Sequence, residues 1–152
     1  MQLPNKIQTF QFNDEFGTYF QSYESILQLD ILFHDYNFDG IVDFGIYSEG
    51  RSGVTNEVRD YYIFNSNSKS FNNSIRMTNV SFDKTKKLVK QSWNGGGGNG
   101  GMATFKFTKS DTLIMIKSVS KQYIHDLEAF VRETKILNGD RTYFIKMDTV
   151  KN

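Results

Sequence analysis

Hydrophobic and polar residues alternate with a period of two along much of the chain. In "ILQLDILF", Leu27, Leu29, Ile31 and Phe33 fall on one face. In "MATFKFT", Ala103, Phe105 and Phe107 fall on one face, and Thr104, Lys106 and Thr108 on the other. "RTYFIKM" repeats the pattern with Tyr143, Ile145 and Met147. Successive side chains of a strand point to opposite faces, so this alternation predicts half-buried antiparallel strands. The punctuation agrees. Asn138-Gly139 stands between two β-rich runs, and Asn-Gly tolerates the positive φ that tight hairpin turns require. "FTKSDTLIMI" and "IFNSNSKSF" read as further hairpins with polar turns. "SWNGGGGNGGMATF" joins two more strands through a glycine-rich loop. In "QYIHDLEAFVRETKIL" the pattern shifts, and a short helical turn is expected near Asp126 to Phe130. The whole reads as all-β, an antiparallel meander of roughly eight strands in one domain covering 1–152, with no linker.

Composition supports this reading. The 152 residues include 14 Phe and 8 Tyr, which suit the pleated surface of a sheet. With Pro4 the sole proline, turns fall to Gly, Asn, Asp and Ser. The formal net charge of +1 gives no electrostatic footprint for nucleic acid. The basic cluster "DKTKKLVK", Asp83 to Lys90, reads as the solvated face of an edge strand, where lysines discourage edge pairing. The absence of cysteine excludes disulfides and thiolate metal sites. No apolar run is long enough to span a bilayer, and "MQLPNK" does not read as a signal peptide. The chain is therefore expected to be cytoplasmic or to begin after a removed signal.

Candidate chemistry concentrates in "DYNFDGIVD". Asp35, Asn37, Asp39 and Asp43 fall at positions one, three, five and nine, with Gly40 at six and Ile41 at seven. Calcium takes six to eight hard oxygen ligands, and a loop winding round it can offer every second side chain. The expected ligands are the side chains of Asp35, Asn37, Asp39 and Asp43 and the carbonyl of Ile41, with Gly40 permitting the sharp turn. An EF-hand would close with Glu at position twelve, where this chain has Ile46, and the flanking segments read as strands rather than helices. The loop resembles the strand-to-strand calcium loops of integrin-type β-propeller blades. The alternative is an Asx-rich turn without metal, since these residues form tight turns unaided. Three carboxylates so close together would repel one another without a cation. Magnesium fits less well, because it demands stricter octahedral geometry.

Together, "LQLDILFHDYNFDGIVDFGIYSEG", "YYIFNSNSKSF" and the later "GGGGNGG…FKF" hairpin resemble a bacterial family of propeller-like periplasmic proteins. Its best-understood members are immunity proteins that bind and block lysozyme-like, peptidoglycan-cleaving effectors of a type IV secretion system. Their architecture is similar to that of periplasmic lysozyme inhibitors. The resemblance spans about Ser25 to Ile116 and is carried mainly by the "D-x-N-F-D-G-x-x-D" and "Y-x-I-F-N" motifs. It implies a β-propeller-like, calcium-bound, non-enzymatic inhibitor of a glycoside hydrolase. It also implies a periplasmic or cell-surface location, with a signal sequence absent from the chain.

Lysozyme-like enzymes use carboxyl groups flanking the scissile bond, so an inhibitor can plug the cleft with a loop of polar donors. "SEGRSGVTN" offers Arg51, Ser52 and Gly53 for this, and its Ser-Gly step resembles the Ser-Gly loops of lysozyme inhibitors; an ordinary surface hairpin loop is the alternative. Trp93 is a second candidate partner contact, because Trp is enriched at binding hot spots. The glycine run after it reads as a mobile hairpin loop. It lacks the Gly-Lys-Ser/Thr ending of a phosphate cradle. His34 and His125 do not form a zinc-ligand pattern. "GRSG" is not a nucleophile elbow, and pairs such as Asp14-Glu15 and Glu128-Glu133 are not set across a cleft by any motif, so an enzyme is not expected. The competing function is a calcium-stabilised extracellular module for adhesion or carbohydrate binding.

Overall fold

The computed structural model describes residues 30–50, 56–72, 74–138 and 141–150. In chain order the strands are β1 (Ile31–His34), β2 (Asp43–Gly50), β3 (Glu57–Tyr62), β4 (Phe64–Asn65), β5 (Ser70–Phe71), β6 (Ile75–Thr78), β7 (Val80–Asp83), β8 (Leu88–Gly96), β9 (Asn99–Phe107), β10 (Leu113–Ile124), β11 (Ala129–Asn138) and β12 (Arg141–Val150). They form a four-stranded sheet ordered β1-β2-β3-β6, a six-stranded sheet ordered β12-β11-β10-β9-β8-β7, and a β4-β5 ribbon. Every pairing is antiparallel. The all-β meander expected from the alternation is therefore present. The described strands form open sheets, however, not a closed barrel or propeller. Strands β7 to β12 run in consecutive hairpins into one wide sheet, with β7 and β12 at its two ends and not paired with each other.

The expected hairpins form where the turn residues stand. Asn65 accepts from the backbone N–H of Asn67 and Ser68 and closes the β4–β5 turn. Thr108 and Thr112 close the β9–β10 turn through a backbone hydrogen bond of 2.9 Å. Asn138 pairs with Arg141 at the β11–β12 connection, while residues 139–140 lie outside the described residues. The expected helical turn is a 3-10 turn at His125–Leu127, ended by Glu128 in the left-handed region at φ 47°. The basic cluster is placed differently. Lys84, Lys86 and Lys87 occupy the exposed β7–β8 turn rather than a strand face, because Asp83 accepts the Lys86 N–H and bends the chain there.

The core lies between the four-stranded sheet and one end of the six-stranded sheet. Tyr36, Phe38, Tyr61, Ile63, Met77 and Val89 are buried together, with Phe82, Phe105, Phe107 and Leu113 packed against them. Ala103 is buried and Phe105 and Phe107 half-buried, as their alternation predicts. On the other face of the four-stranded sheet, Phe44 stacks on Tyr62 at 4.7 Å and meets Phe71 of the β4–β5 ribbon edge-on. Each buried aromatic of this kind contributes about 2–3 kcal/mol of apolar burial. Two of the predicted faces are not buried. Ile31 and Phe33 on edge strand β1 are 38% and 71% exposed, and Ile145 and Met147 on edge strand β12 are 56% and 66% exposed. Alternation marks one face of a strand, but burial also needs a layer over that face. Leu27 and Leu29 lie outside the described residues.

Burial pushes the Tyr61 phenol up from 10.0 to about 12, with the neighbouring Tyr36 adding to the effect. The folded chain thus keeps a proton that the unfolded chain loses above its ordinary value. The contribution is complete below about pH 10 and falls as pH rises toward about 12. Tyr61→Phe should flatten this alkaline decline by roughly 2–3 kcal/mol, read as the urea midpoint against pH. An unchanged alkaline slope would show that other groups cause the decline.

Candidate metal loop and its surroundings

The loop from Asp35 to Asp43 joins β1 to β2. Tyr36 and Phe38 are buried at 4% and 8% exposure and Asn37 between them at 8%, whereas Asp35 is half-buried and Asp39 exposed. Tyr36 meets Tyr61 edge-on at 4.9 Å and Phe82 at 4.6 Å. Phe38 adopts φ 66° and Gly40 φ 91°, two left-handed positions that turn the chain back within a few residues. For a non-glycine residue such a conformation costs about 1–2 kcal/mol, which burial of the Phe38 ring offsets.

The carboxylates first organise the loop itself. Asp35 accepts the N–H groups of Asp39 and Gly40, each at 3.0 Å. Asp39 accepts the Ile41 N–H at 2.7 Å and a hydrogen bond from the Asn37 side-chain amide at 3.0 Å. Asp43 is fully buried. One of its oxygens accepts the Tyr36 N–H and the other the Phe64 N–H, both at 2.8 Å. It therefore latches the start of the loop to the first residue of β4. Burial raises the Asp43 carboxyl above its ordinary value, and the N–H groups of Phe64, Tyr36 and Asn37 only partly offset this.

A residue that sequence reasoning missed joins the loop. Asp111, in the β9–β10 turn at φ 57°, accepts from the Asn37 side-chain amide at 2.9 Å. Its 74-residue separation left no local signal. Lys87 also reaches the loop, donating to the Phe38 carbonyl at 3.3 Å. The five expected ligands thus share one loop, and their chemistry is that of hard oxygen donors. Each carboxylate oxygen that accepts one N–H retains a further lone pair. Among the described residues, no group of three or more His, Cys, Asp or Glu side chains is arranged to hold a metal ion.

The partner-contact candidates lie elsewhere. Arg51, Ser52 and Gly53 fall outside the described residues. Asn56, the next described residue, donates from its side chain to the Asn94 carbonyl at 2.9 Å and accepts the Asn94 N–H at 3.0 Å. The end of the expected plug loop is therefore tied to the residue following Trp93. Trp93 is half-buried on β8, opposite Gly101 on β9. A Cβ at Gly101 would lie 2.3 Å from the indole, so only glycine leaves room for the ring. The glycine run is mostly strand rather than loop. It extends β8 and β9 up to a turn at Gly97-Gly98. Phe130 takes the corresponding place beside Gly98.

No family model matches the chain. No curated protein matches it. Among solved structures, a Xanthomonas protein described as related to a type IV secretion system is similar over 80% of this chain, with a TM-score of 0.52 and 18% sequence identity. The chain spans 58% of the length of that protein. At this identity the likeness is one of fold, an all-β antiparallel fold that the two chains have in common.

Proposed function

We propose that this chain is a non-enzymatic, extracytoplasmic binding protein associated with a type IV secretion system, which blocks a lysozyme-like peptidoglycan hydrolase. The observation that carries the reading is the shared fold with a protein described as related to such a system. The motif resemblance in "DYNFDGIVD" and "YYIFN" supports it from the sequence side. Calcium belongs to the same proposal, with Asp35, Asn37, Asp39 and Asp43 holding it by side chain and Ile41 by its carbonyl. The ion would supply positive charge to a loop rich in carboxylates. The propeller-like kinship of the family is likewise part of the proposal.

The binding surface is assigned to the region where Asn56 meets Asn94, because it joins Trp93 to the end of the segment that holds Arg51, Ser52 and Gly53. Isothermal titration of lysozyme-family hydrolases into the full chain tests the contact. Tight binding to one hydrolase, weakened at least about tenfold by Trp93→Ala, is expected of a central aromatic anchor. Unchanged binding by that variant would move the contact away from β8.

A second reading is favoured by the ring set against glycine on the β8–β9 hairpin. Trp93, half-buried over Gly101, offers an aromatic ring of the kind on which sugars stack, whereas Phe130 beside Gly98 already carries Lys121, whose Nζ lies 4.0 Å from the ring centroid. A glycan array separates this module from an inhibitor, because only the module retains defined sugars without a protein partner.

A further inference from the structure

The six-stranded sheet is packed at one end only. Its buried residues, Val89 and Ala103, belong to β8 and β9. Among the described residues of β10, β11 and β12, none is buried. β10 starts at the core through Leu113, and β10 and β11 are mostly half-buried, while the described residues of β12 are mostly exposed. The outermost, β12, is ten residues long and pairs with β11 from Arg141 to Val150. Among the described strands, nothing pairs with its other edge. Phe144, 49% exposed, lies opposite Ile136, 45% exposed, on one face. Ile145 and Met147 are exposed on the other face. A long edge strand with apolar residues on both faces is a template for pairing with another chain unless something covers it.

We propose that β12 pairs antiparallel with β12 of a second copy, about a two-fold axis at Met147, so that one continuous sheet crosses the dimer. The register follows from charge. A two-fold axis perpendicular to the sheet keeps each side chain on its own face, so residues of equal parity must oppose each other. An axis at Lys146 would set two ammonium groups against each other and put Phe144 against a carboxylate. An axis at Ile145 would put Phe144 against Lys146 and leave Asp148 facing Thr142. An axis at Met147 sets Lys146 opposite Asp148 of the partner subunit, twice by symmetry. It also sets Phe144 opposite Val150 and Met147 opposite itself. Lys146 and Asp148 already meet at 2.9 Å within one chain, with the side chains 58% and 38% exposed, so both charged heads are accessible on one face of β12. Opposite charges and apolar pairs directly across a strand pair are the stabilising combinations, and like charges there are destabilising.

The test is sedimentation equilibrium of the full chain up to about 0.3 mM, with a charge exchange. The wild-type chain should form a dimer that dissociates on dilution. Lys146→Asp alone and Asp148→Lys alone each place like charges across the axis and should weaken the dimer at least about tenfold. An equimolar mixture of these two variants should regain the dimer, because each Asp then faces a Lys on the partner subunit. Circular dichroism confirms folding of both variants, whose changed side chains lie at the surface. Met147→Lys, with two lysines on the axis, should be monomeric. A monomeric wild-type chain at the highest concentration would overturn the proposal. So would a dimer that all three variants leave intact, or single variants that weaken it without recovery on mixing. A monomer that binds a hydrolase through β12, with binding lost in Met147→Lys, would also overturn it and assign the edge to that partner.

Discussion

Asp43→Ala is expected to destabilise the fold by about 4 kcal/mol. The carboxylate is fully buried, and each oxygen accepts one backbone N–H, from Tyr36 and from Phe64. Alanine leaves both donors without a partner, and each unsatisfied buried donor costs about 1–3 kcal/mol. The consequence spreads beyond the loop. Tyr36 anchors β1 against Tyr61, and Phe64 begins the ribbon that covers Phe44 and Tyr62 through Phe71. Asp43→Asn should lose less, because one side-chain oxygen still accepts while the amide nitrogen faces a donor. Urea titration of the three proteins in chelator measures this directly. An Asp43→Ala midpoint equal to that of the wild-type chain would mean that the latch contributes nothing.

Calcium is expected to raise the melting temperature, and Asp39→Ala to abolish the rise. A ligand that binds only the folded chain at one hundred times its dissociation constant adds about 2.7 kcal/mol. For a chain of this size that is a rise of about 5–10 °C. Asp39 suits the test because it is exposed and bonds only within the loop, to the Ile41 N–H and the Asn37 side chain. Its removal should therefore lower stability in chelator only slightly. Magnesium at the same concentration should give a smaller rise, since it keeps its waters and demands octahedral geometry. Equal melting temperatures in calcium and in chelator, or a full rise in Asp39→Ala, would count against calcium in this loop. Asp111→Asn adds a refinement, because that carboxylate bonds to Asn37 from a distant turn and its loss should reduce the gain in part.

Turns and the central strands were the most legible features in the sequence. "NSNS" and "KSD" each stand at an antiparallel connection, because local chemistry alone decides a tight turn. Ala103, Phe105 and Phe107 point inward as their alternation requires. Ile145 and Met147 alternate just as well and remain exposed, because period two reports a face and not what covers it. The glycine run is strand where its composition predicts a loop, for a related reason. Glycine's low strand propensity says nothing of rings such as Trp93 that need its missing side chain. In the candidate site, the side chains from Asp35 to Asp43 could be named from spacing. The burial of Asp43 and the arrival of Asp111 depend on contacts with Phe64 and Asn37 that spacing does not encode.

The measurement that bears most directly on the proposed function is a cell-wall turbidity assay. Lysozyme-family hydrolases, including any encoded beside this chain's gene, would each be mixed with increasing amounts of the purified protein in calcium. A hydrolase silenced at a stoichiometric ratio, with no wall cleavage by the chain alone, is the expected result. Undiminished clearing of the wall by every hydrolase at excess chain, or clearing by the chain itself, would contradict the inhibitor.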